Sequence, residues 1–333
     1  MNPSSVSDSS SFSPQPSSFI PHPSSLRIGT RGSVLARWQA DWVEHALRRA
    51  FPRDEFVQVI VKTTGDIMPD KPLGDLGGGG AFTRELDAAL LDGRIDLAVH
   101  SAKDYPTDVP ADLIVAAFPC RWPVNDSLVG RHGERLRDLP QGALIGTGSL
   151  RRSAQIRAIR PDVRFGEIRG NIETRLRKLD AGQYDAVVIA EAALRRLGLT
   201  DRPREVLSVA RLVPDAGQGA LMVVCRRNDR RVRRMTARIG DARVAACVTV
   251  ERAVLSGLGG GCRLPLGVYA KIVGERMRLR AVVISPDGTQ KIALRMKCSA
   301  RKGLWAARRA IRHLLDRGAR EILDQVESEL GHE

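Results

Sequence analysis

From residue 26 to about residue 193 the chain alternates short apolar runs with amphipathic stretches of helical period, and it does so twice. Residues 26–30, 56–62, 95–99 and 113–118 read as strands. A helix beginning after Ser33, a residue suited to cap it, carries Leu35, Trp38, Trp42 and Ala46 on its apolar side, and a second helix covers 82–91. After a Pro- and Arg-containing stretch, 120–126, the pattern restarts: strands at 143–147, 163–168 and 184–190, helices at 150–159 and 172–179. Such alternation predicts α/β architecture, with mainly parallel sheets covered by helices. Two such units in series predict two lobes with a cleft between them.

A glycine-rich segment, 214–220, leads into the apolar run 221–224 and reads as the chain returning to complete the first lobe. From about residue 239 the character changes to a small α+β domain. It holds a helix at 241–257, strands at 266–273 and 277–284, and a helical region over 302–330 divided at Gly318, with Leu304, Ile311, Leu315, Ile322 and Val326 facing inward. The expected division is 26–119 with 214–238 as the first domain, 120–213 as the second and 239–333 as the third. Residues 1–25 hold 11 Ser and 5 Pro around a single charged side chain, Asp8. They read as a disordered extension, or as the product of a start assigned too far upstream, with neither a secretory signal nor a transit peptide.

No apolar run approaches the ~18 residues of a membrane span. The five cysteines are scattered and form no C-x-x-C, and the six histidines show no ligand spacing. That argues for a reducing, cytoplasmic setting and against a metal site. The net charge of +15 is carried by 45 arginines against 8 lysines, which predicts an anionic partner. Aromatics at 4% are thin for stacking on single-stranded nucleic acid, whereas arginine grips carboxylates in a planar, two-pronged way.

In open α/β sheets ligands bind at the C-terminal ends of the strands. Those ends carry Arg31 and Ser33, then His100-Ser101-Ala102-Lys103-Asp104, then Ser149, Arg151 and Arg152, then Arg169 and Arg175, and finally Arg195 and Arg196. A cationic cleft with one acid, Asp104, is the expectation. One further feature stands apart: Cys262 sits on the turn Leu258-Gly259-Gly260-Gly261-Cys262-Arg263-Leu264-Pro265. It reads either as a thiol that carries something covalently, with Arg263 favouring the thiolate, or as a buried structural cysteine.

Five motifs turn the cleft into a specific resemblance. They are T-R-G-S-x-L-A-x-x-Q (30–39), A-V-H-S-A-K-D (98–104), G-T-G-S-L-R-R (146–152), R-G-N-I-E-T-R-L (169–176) and G-G-G-C-R-L-P-L-G (259–267). Together, from residue 26 onward, the chain resembles the porphobilinogen deaminases, also called hydroxymethylbilane synthases. The resemblance implies two periplasmic-binding-protein-like lobes plus the small C-terminal domain. It implies condensation of four porphobilinogen molecules, with release of ammonia, into a linear tetrapyrrole for tetrapyrrole biosynthesis. It also implies a dipyrromethane primer held by a thioether to Cys262, and Asp104 as the carboxylate that stabilises the cationic pyrrole left when ammonia departs. By motif, Arg31, Ser33, Lys103, Ser149, Arg151, Arg152, Arg169, Arg175, Arg196 and Gln218 match cofactor and substrate contacts. The growing chain, with about two carboxylates per ring, accounts for the arginines. Family analogy implies a monomer that engages neither nucleic acid nor membrane.

One loop departs from the pattern. The family's L-x-K-x-G-G-K-G-x-F is here Leu73-Gly74-Asp75-Leu76-Gly77-Gly78-Gly79-Gly80-Ala81-Phe82, so Asp75 and Gly79 stand where lysines are usual. A more mobile lid with weaker hold on the growing chain is expected, with Phe82 still able to cover the cleft. Three rivals remain at this level. A two-lobed periplasmic binding protein would call for a secretory signal and no cysteine domain. A basic nucleic-acid binder would carry its arginines along one helix rather than at strand ends. A degenerate paralogue would be expected to have lost Asp104 or Cys262.

Overall fold

Among the described residues, two five-stranded sheets and one three-stranded sheet organise the chain. The structure, a computed structural model, describes residues 25–64, 83–259 and 264–331. In the first sheet β1 (Leu26–Thr30), β2 (Phe56–Ile60) and β3 (Leu97–Ser101) run parallel, flanked by α1 (Val34–Ala50) and α2 (Arg84–Leu91). β4 (Leu113–Ala117) lies at the edge. The chain then passes to the second sheet, whose strands are β5 (Asp126–Gly130), β6 (Leu144–Gly146), β7 (Arg164–Gly166), β8 (Ala186–Ala190) and β9 (Glu205–Val206). With these go α3 (Leu150–Arg157), α4 (Ile172–Asp180) and α5 (Glu191–Arg196). The chain then returns as β10 (Leu221–Arg226), giving the orders β2-β1-β3-β10-β4 and β7-β6-β8-β5-β9.

Four strands of each sheet run the same way, and one, β10 or β5, runs against its neighbours. Both reversed strands are the first element after a crossing between sheets. Each starts where a parallel strand ends, Leu221 opposite Ser101 and Asp126 opposite Ala190. A chain entering a sheet from the C-terminal side of its parallel strands can only run antiparallel to them. The two crossings pair with each other: Trp122 donates to the Gly219 carbonyl at 2.9 Å and Leu221 to that of Cys120 at 3.1 Å. The hinge therefore lies at the strand ends where the sequence places the cleft.

α6 (Arg230–Ile239) leads into the C-terminal region. There α7 (Ala242–Gly257), α8 (Gly303–Leu315) and α9 (Ala319–Gly331) cover an antiparallel sheet of β11 (Leu266–Val273), β12 (Arg276–Ile284) and β13 (Lys291–Ser299). Glu251 of α7, fully buried, ties this region to the hinge. It accepts from both Nη atoms of Arg121 at 2.8 and 2.9 Å, from the Gly217 amide at 2.8 Å and from the Ala270 amide at 2.7 Å. All four donors serve one carboxylate, which is what keeps a buried charge tolerable.

Several local expectations change. The buried stripe of α1 is Gln39, Ala40, Val43 and Leu47, one position round from the expected side, which turns Trp38 toward Trp122 of the hinge in an edge contact at 5.1 Å. α8 buries Gly303, Ala306, Ala307, Ala310 and Leu314, leaving Leu304 exposed rather than inward. Small residues win because α7 and α8 approach closely: a Cβ on Gly303 would lie 2.7 Å from Val250, and one on Gly257 2.4 Å from Ile311. The helical region does divide at Gly318, whose φ of +91° suits glycine. β5, β9, β13 and α6 are additional to the expected elements. For β13 the signal was present, since Ile292, Leu294, Met296 and Cys298 alternate with polar residues.

Candidate active site

The strand ends bring most of the expected residues to the hinge side of the two sheets. Ser33 caps α1, accepting from the Ala36 amide at 3.3 Å, so its hydroxyl holds the helix start beside Arg31. At the end of β3, Ser101 accepts a hydrogen bond from the buried Gln39 amide at 3.0 Å. The loop then turns through Asp104, whose amide donates to the Ser101 carbonyl at 3.0 Å. Asp104 is exposed and Lys103 half-buried. Lys103 Nζ donates to Gln218 Oε1 at 3.4 Å. Burial lowers the Lys103 pKa, with Arg152 adding to the shift and Asp104 opposing it.

A residue that the sequence reading missed organises the floor of the cleft. Asp126, fully buried at the start of β5, accepts from Arg151 Nη1 at 2.9 Å, from Arg152 Nε and Nη2 at 3.0 and 2.7 Å, and from Gln218 Nε2 at 3.1 Å. Burial pushes its pKa up, but the charges of Arg151, Arg152 and Lys103 outweigh that and hold the carboxyl well below the usual range. Arg152 also donates to the Val188 carbonyl and Arg151 to that of Val213. Three expected ligand contacts, Arg151, Arg152 and Gln218, are thus largely occupied within the protein.

Arg175 and Arg196 differ. Each gives one hydrogen bond to a carbonyl, Arg175 Nε to Gly170 at 2.9 Å and Arg196 Nη2 to Gly219 at 2.7 Å. Burial brings both pKa values down to about 10; Arg152 adds to the shift at Arg175, and Asp104 opposes it at both. Both stay charged at neutral pH. Arg196 also lies 5.6 and 5.9 Å from the ring centres of Trp38 and Trp122. Arg169 pairs with Glu167, Nη2 to Oε1 at 2.7 Å. Ser149 begins α3 without a side-chain cap bond, so its hydroxyl is not spent on the helix. Gly79, Phe82, Cys262, the altered positions 73–82 and residues 1–24 lie outside the described residues.

What this surface suits is a ligand with several carboxylates. Asp104 is exposed, and its charge opposes the lowering of the Lys103, Arg175 and Arg196 pKa values. In the cleft, Arg196 Nε is buried with no hydrogen-bond partner among the described residues, while Arg151 Nε has a carboxylate oxygen of Asp215 at 3.7 Å. A buried donor without an acceptor costs ~1–3 kcal/mol, and a carboxylate is the acceptor that would relieve it. Acetate and propionate side chains on pyrrole rings meet that requirement, so the residues present fit a dipyrromethane. Among the described residues no cluster of His, Cys, Asp and Glu could hold a metal, and no helix is long and apolar enough to cross a membrane.

Comparison with known proteins agrees with this chemistry. The chain is 45% identical over 299 residues to the porphobilinogen deaminase of Desulforudis audaxviator (strain MP104C), covering 90% of this chain and 97% of that protein. Partly similar solved structures include a probable amino-acid ABC transporter extracellular-binding protein from Bacillus subtilis, with a TM-score of 0.40, 9% identity and coverage of 65% of this chain and 89% of that one. The periplasmic aliphatic sulphonate binding protein of Escherichia coli gives a TM-score of 0.37 at 18% identity, covering 71% of this chain and 70% of that one. The family description of the porphobilinogen deaminase dipyromethane cofactor binding domain matches residues 26–234, and that of the porphobilinogen deaminase C-terminal domain matches 245–309. The chain belongs to the porphobilinogen deaminase family.

Proposed function

We propose that this cleft condenses four porphobilinogen molecules into hydroxymethylbilane, with Asp104 as the carboxylate at the reacting centre and Cys262 as the anchor of the primer. The observation that carries the reading is the placement of Asp104, an exposed acid on the turn that closes β3, whose charge acts on Lys103, Arg175 and Arg196. When bound, dipyrromethane supplies the electron-rich pyrrole end to which each new unit is joined. The remaining work belongs to the chain. Loss of ammonia leaves a positive charge on the incoming pyrrole, and a carboxylate at 4 Å stabilises it by ~4 kcal/mol at an effective dielectric of 20. Felt only in the transition state, that is about a thousandfold in rate.

Arg175, Arg196, Arg169, Arg31 and Lys103, with the Ser33 and Ser149 hydroxyls, line the route for the acetate and propionate groups. Arg151 and Arg152 act from the floor, where Asp126, itself held by Gln218, fixes their planes and Asp215 lies 3.7 Å from Arg151 Nε. The net charge of +15 is then matched by substrate carboxylates rather than by nucleic acid. We read three domains, 26–119 with 214–238, 120–213 and 239–333, supported by the three separate sheets. A cytoplasmic monomer is our further reading. Its support is family analogy together with the free thiols Cys120, Cys225, Cys247 and Cys298. Intact-mass measurement tests the assignment. The purified protein should carry a two-pyrrole increment that disappears in Cys262→Ser, and an unmodified wild-type mass would refute the anchor.

A further inference from the structure

The side chain that reacts must be held where it works, and the backbone around Asp104 is held from behind by an unusual set of contacts. Tyr105, the next residue, is 2% exposed while Asp104 is exposed. Its hydroxyl donates to Asp87 Oδ1 of α2 at 3.0 Å. Its ring meets His100 edge-on at 4.8 Å between centres. The guanidinium of Arg252, from α7 of the C-terminal region, lies 6.0 Å from the ring centre. The same guanidinium donates to the carbonyls of Ala102 at 3.3 Å, Tyr105 at 2.8 Å and Pro106. One planar fork thus spans the peptide groups on both sides of Asp104, and one phenol wedges the turn against α2.

We propose that Tyr105 is a positioning residue for Asp104, with Asp87 as the acceptor that orients its ring and Arg252 as the fork that fixes the flanking carbonyls. The polar atoms of Tyr105 and Arg252 are engaged with Asp87 and with the backbone of the loop. The three residues act by holding the Asp104 backbone, and an error of about 1 Å in a reacting group costs on the order of a hundredfold in rate. Arginine suits the task because its donors lie in a rigid plane, whereas a lysine in its place would offer one mobile centre. The inference rests on the assignment of Asp104 given above.

A double-mutant cycle on the holoenzyme separates positioning from mere structure. Tyr105→Phe keeps the ring and removes only the hydroxyl, so folding and the primer mass should be unchanged. Its kcat should fall roughly fivefold to tenfold with KM within about twofold, because the loss is confined to the transition state. Placed on Asp104→Glu, whose carboxylate is already displaced, Tyr105→Phe should cost less than about twofold. Arg252→Lys should repeat the pattern. Equal factors in both backgrounds, or no effect in either, would overturn the positioning role while leaving Asp104 in place. A fully active Asp104→Asn would instead remove Asp104 from the chemistry and take this inference with it.

Discussion

Arg151 and Arg152 open α3, while Arg175 and Arg196 belong to the next two helices of the same sheet, and the two pairs have opposite surroundings. The first pair converges on a buried carboxylate, Asp126, with four guanidinium nitrogens giving five hydrogen bonds to it or to carbonyls. The second pair donates to carbonyls, with Arg196 also beside two tryptophan rings, and the acid whose charge acts on both, Asp104, is exposed. All four stand at strand ends, where a ligand is expected. What separates an arginine that holds the fold from one that holds a ligand is the presence of a buried acid at its head group. The floor of the cleft is a closed network and its wall an open one, so the floor can keep its geometry while a growing polyanion shifts along the wall.

Breaking the floor should give the largest change. Asp126→Asn strips the counter-charge from two buried guanidiniums, and such a loss costs about 3–5 kcal/mol. Urea unfolding should show a fall of that size, and an unchanged midpoint would mean that the floor is not a network. The wall should respond differently. Arg175→Gln removes a half-buried cation with no acid of its own, so stability should change by less than ~1 kcal/mol. A lost charged hydrogen bond worth ~1.5–3 kcal/mol should raise KM for porphobilinogen by about tenfold or more. Steady-state kinetics beside an unfolding curve decides the matter, and a stability loss like that of Asp126→Asn with KM unmoved would erase the distinction.

The wall and the arginines of the floor were legible in the sequence, and the acid that joins the floor, Asp126, was not. Strand-end position alone brings forward Arg175, Arg196, Lys103 and Asp104, because the βα pattern fixes which ends face the cleft. Asp126 lies at the end of a Pro- and Arg-containing stretch that reads as a linker, and its strand offers only Leu128 and Val129 as large apolar residues. Its role depends on partners 25, 26 and 92 residues away, which no local pattern reports. The same holds for α8. Leucine and isoleucine mark a stripe in sequence, but the close approach of α7 selects Gly303, Ala306 and Ala310 for the contact. Tyr105 directly follows the A-V-H-S-A-K-D motif, yet nothing local connects it to Asp87 or Arg252.

Asp87 supplies the finest test, because it is a half-buried acid whose polar partner is a hydroxyl instead of a guanidinium. Burial pushes its carboxyl up to about 6, against the pull of the Tyr105 hydrogen bond, where Asp126 is held low. Its neighbour across the Tyr105 ring, His100, is driven down to about 3 by burial, assisted by Arg31. Unfolded, the two groups titrate near 3.9 and 6.5. Between about pH 4 and 6 the folded chain therefore binds the extra proton at Asp87, and stability from that group is lost as pH rises. Over the same interval the unfolded chain binds the extra proton at His100, and stability from that group is lost as pH falls. The two slopes oppose each other and largely cancel. Asp126 takes no part, since its contribution is lost only below the unfolded value near 3.9. Asp87→Asn removes one side of the balance. Its unfolding free energy should then fall on acidification from pH 6 to 4 more steeply than that of the wild type. The excess slope is at most about 1.4 kcal/mol per pH unit, one proton's worth, before solvent screening reduces it. Urea titrations at several pH values across this range measure the slope directly, and parallel profiles for the two proteins would show that the acid behind the Asp104 loop is already ionised like any surface carboxylate.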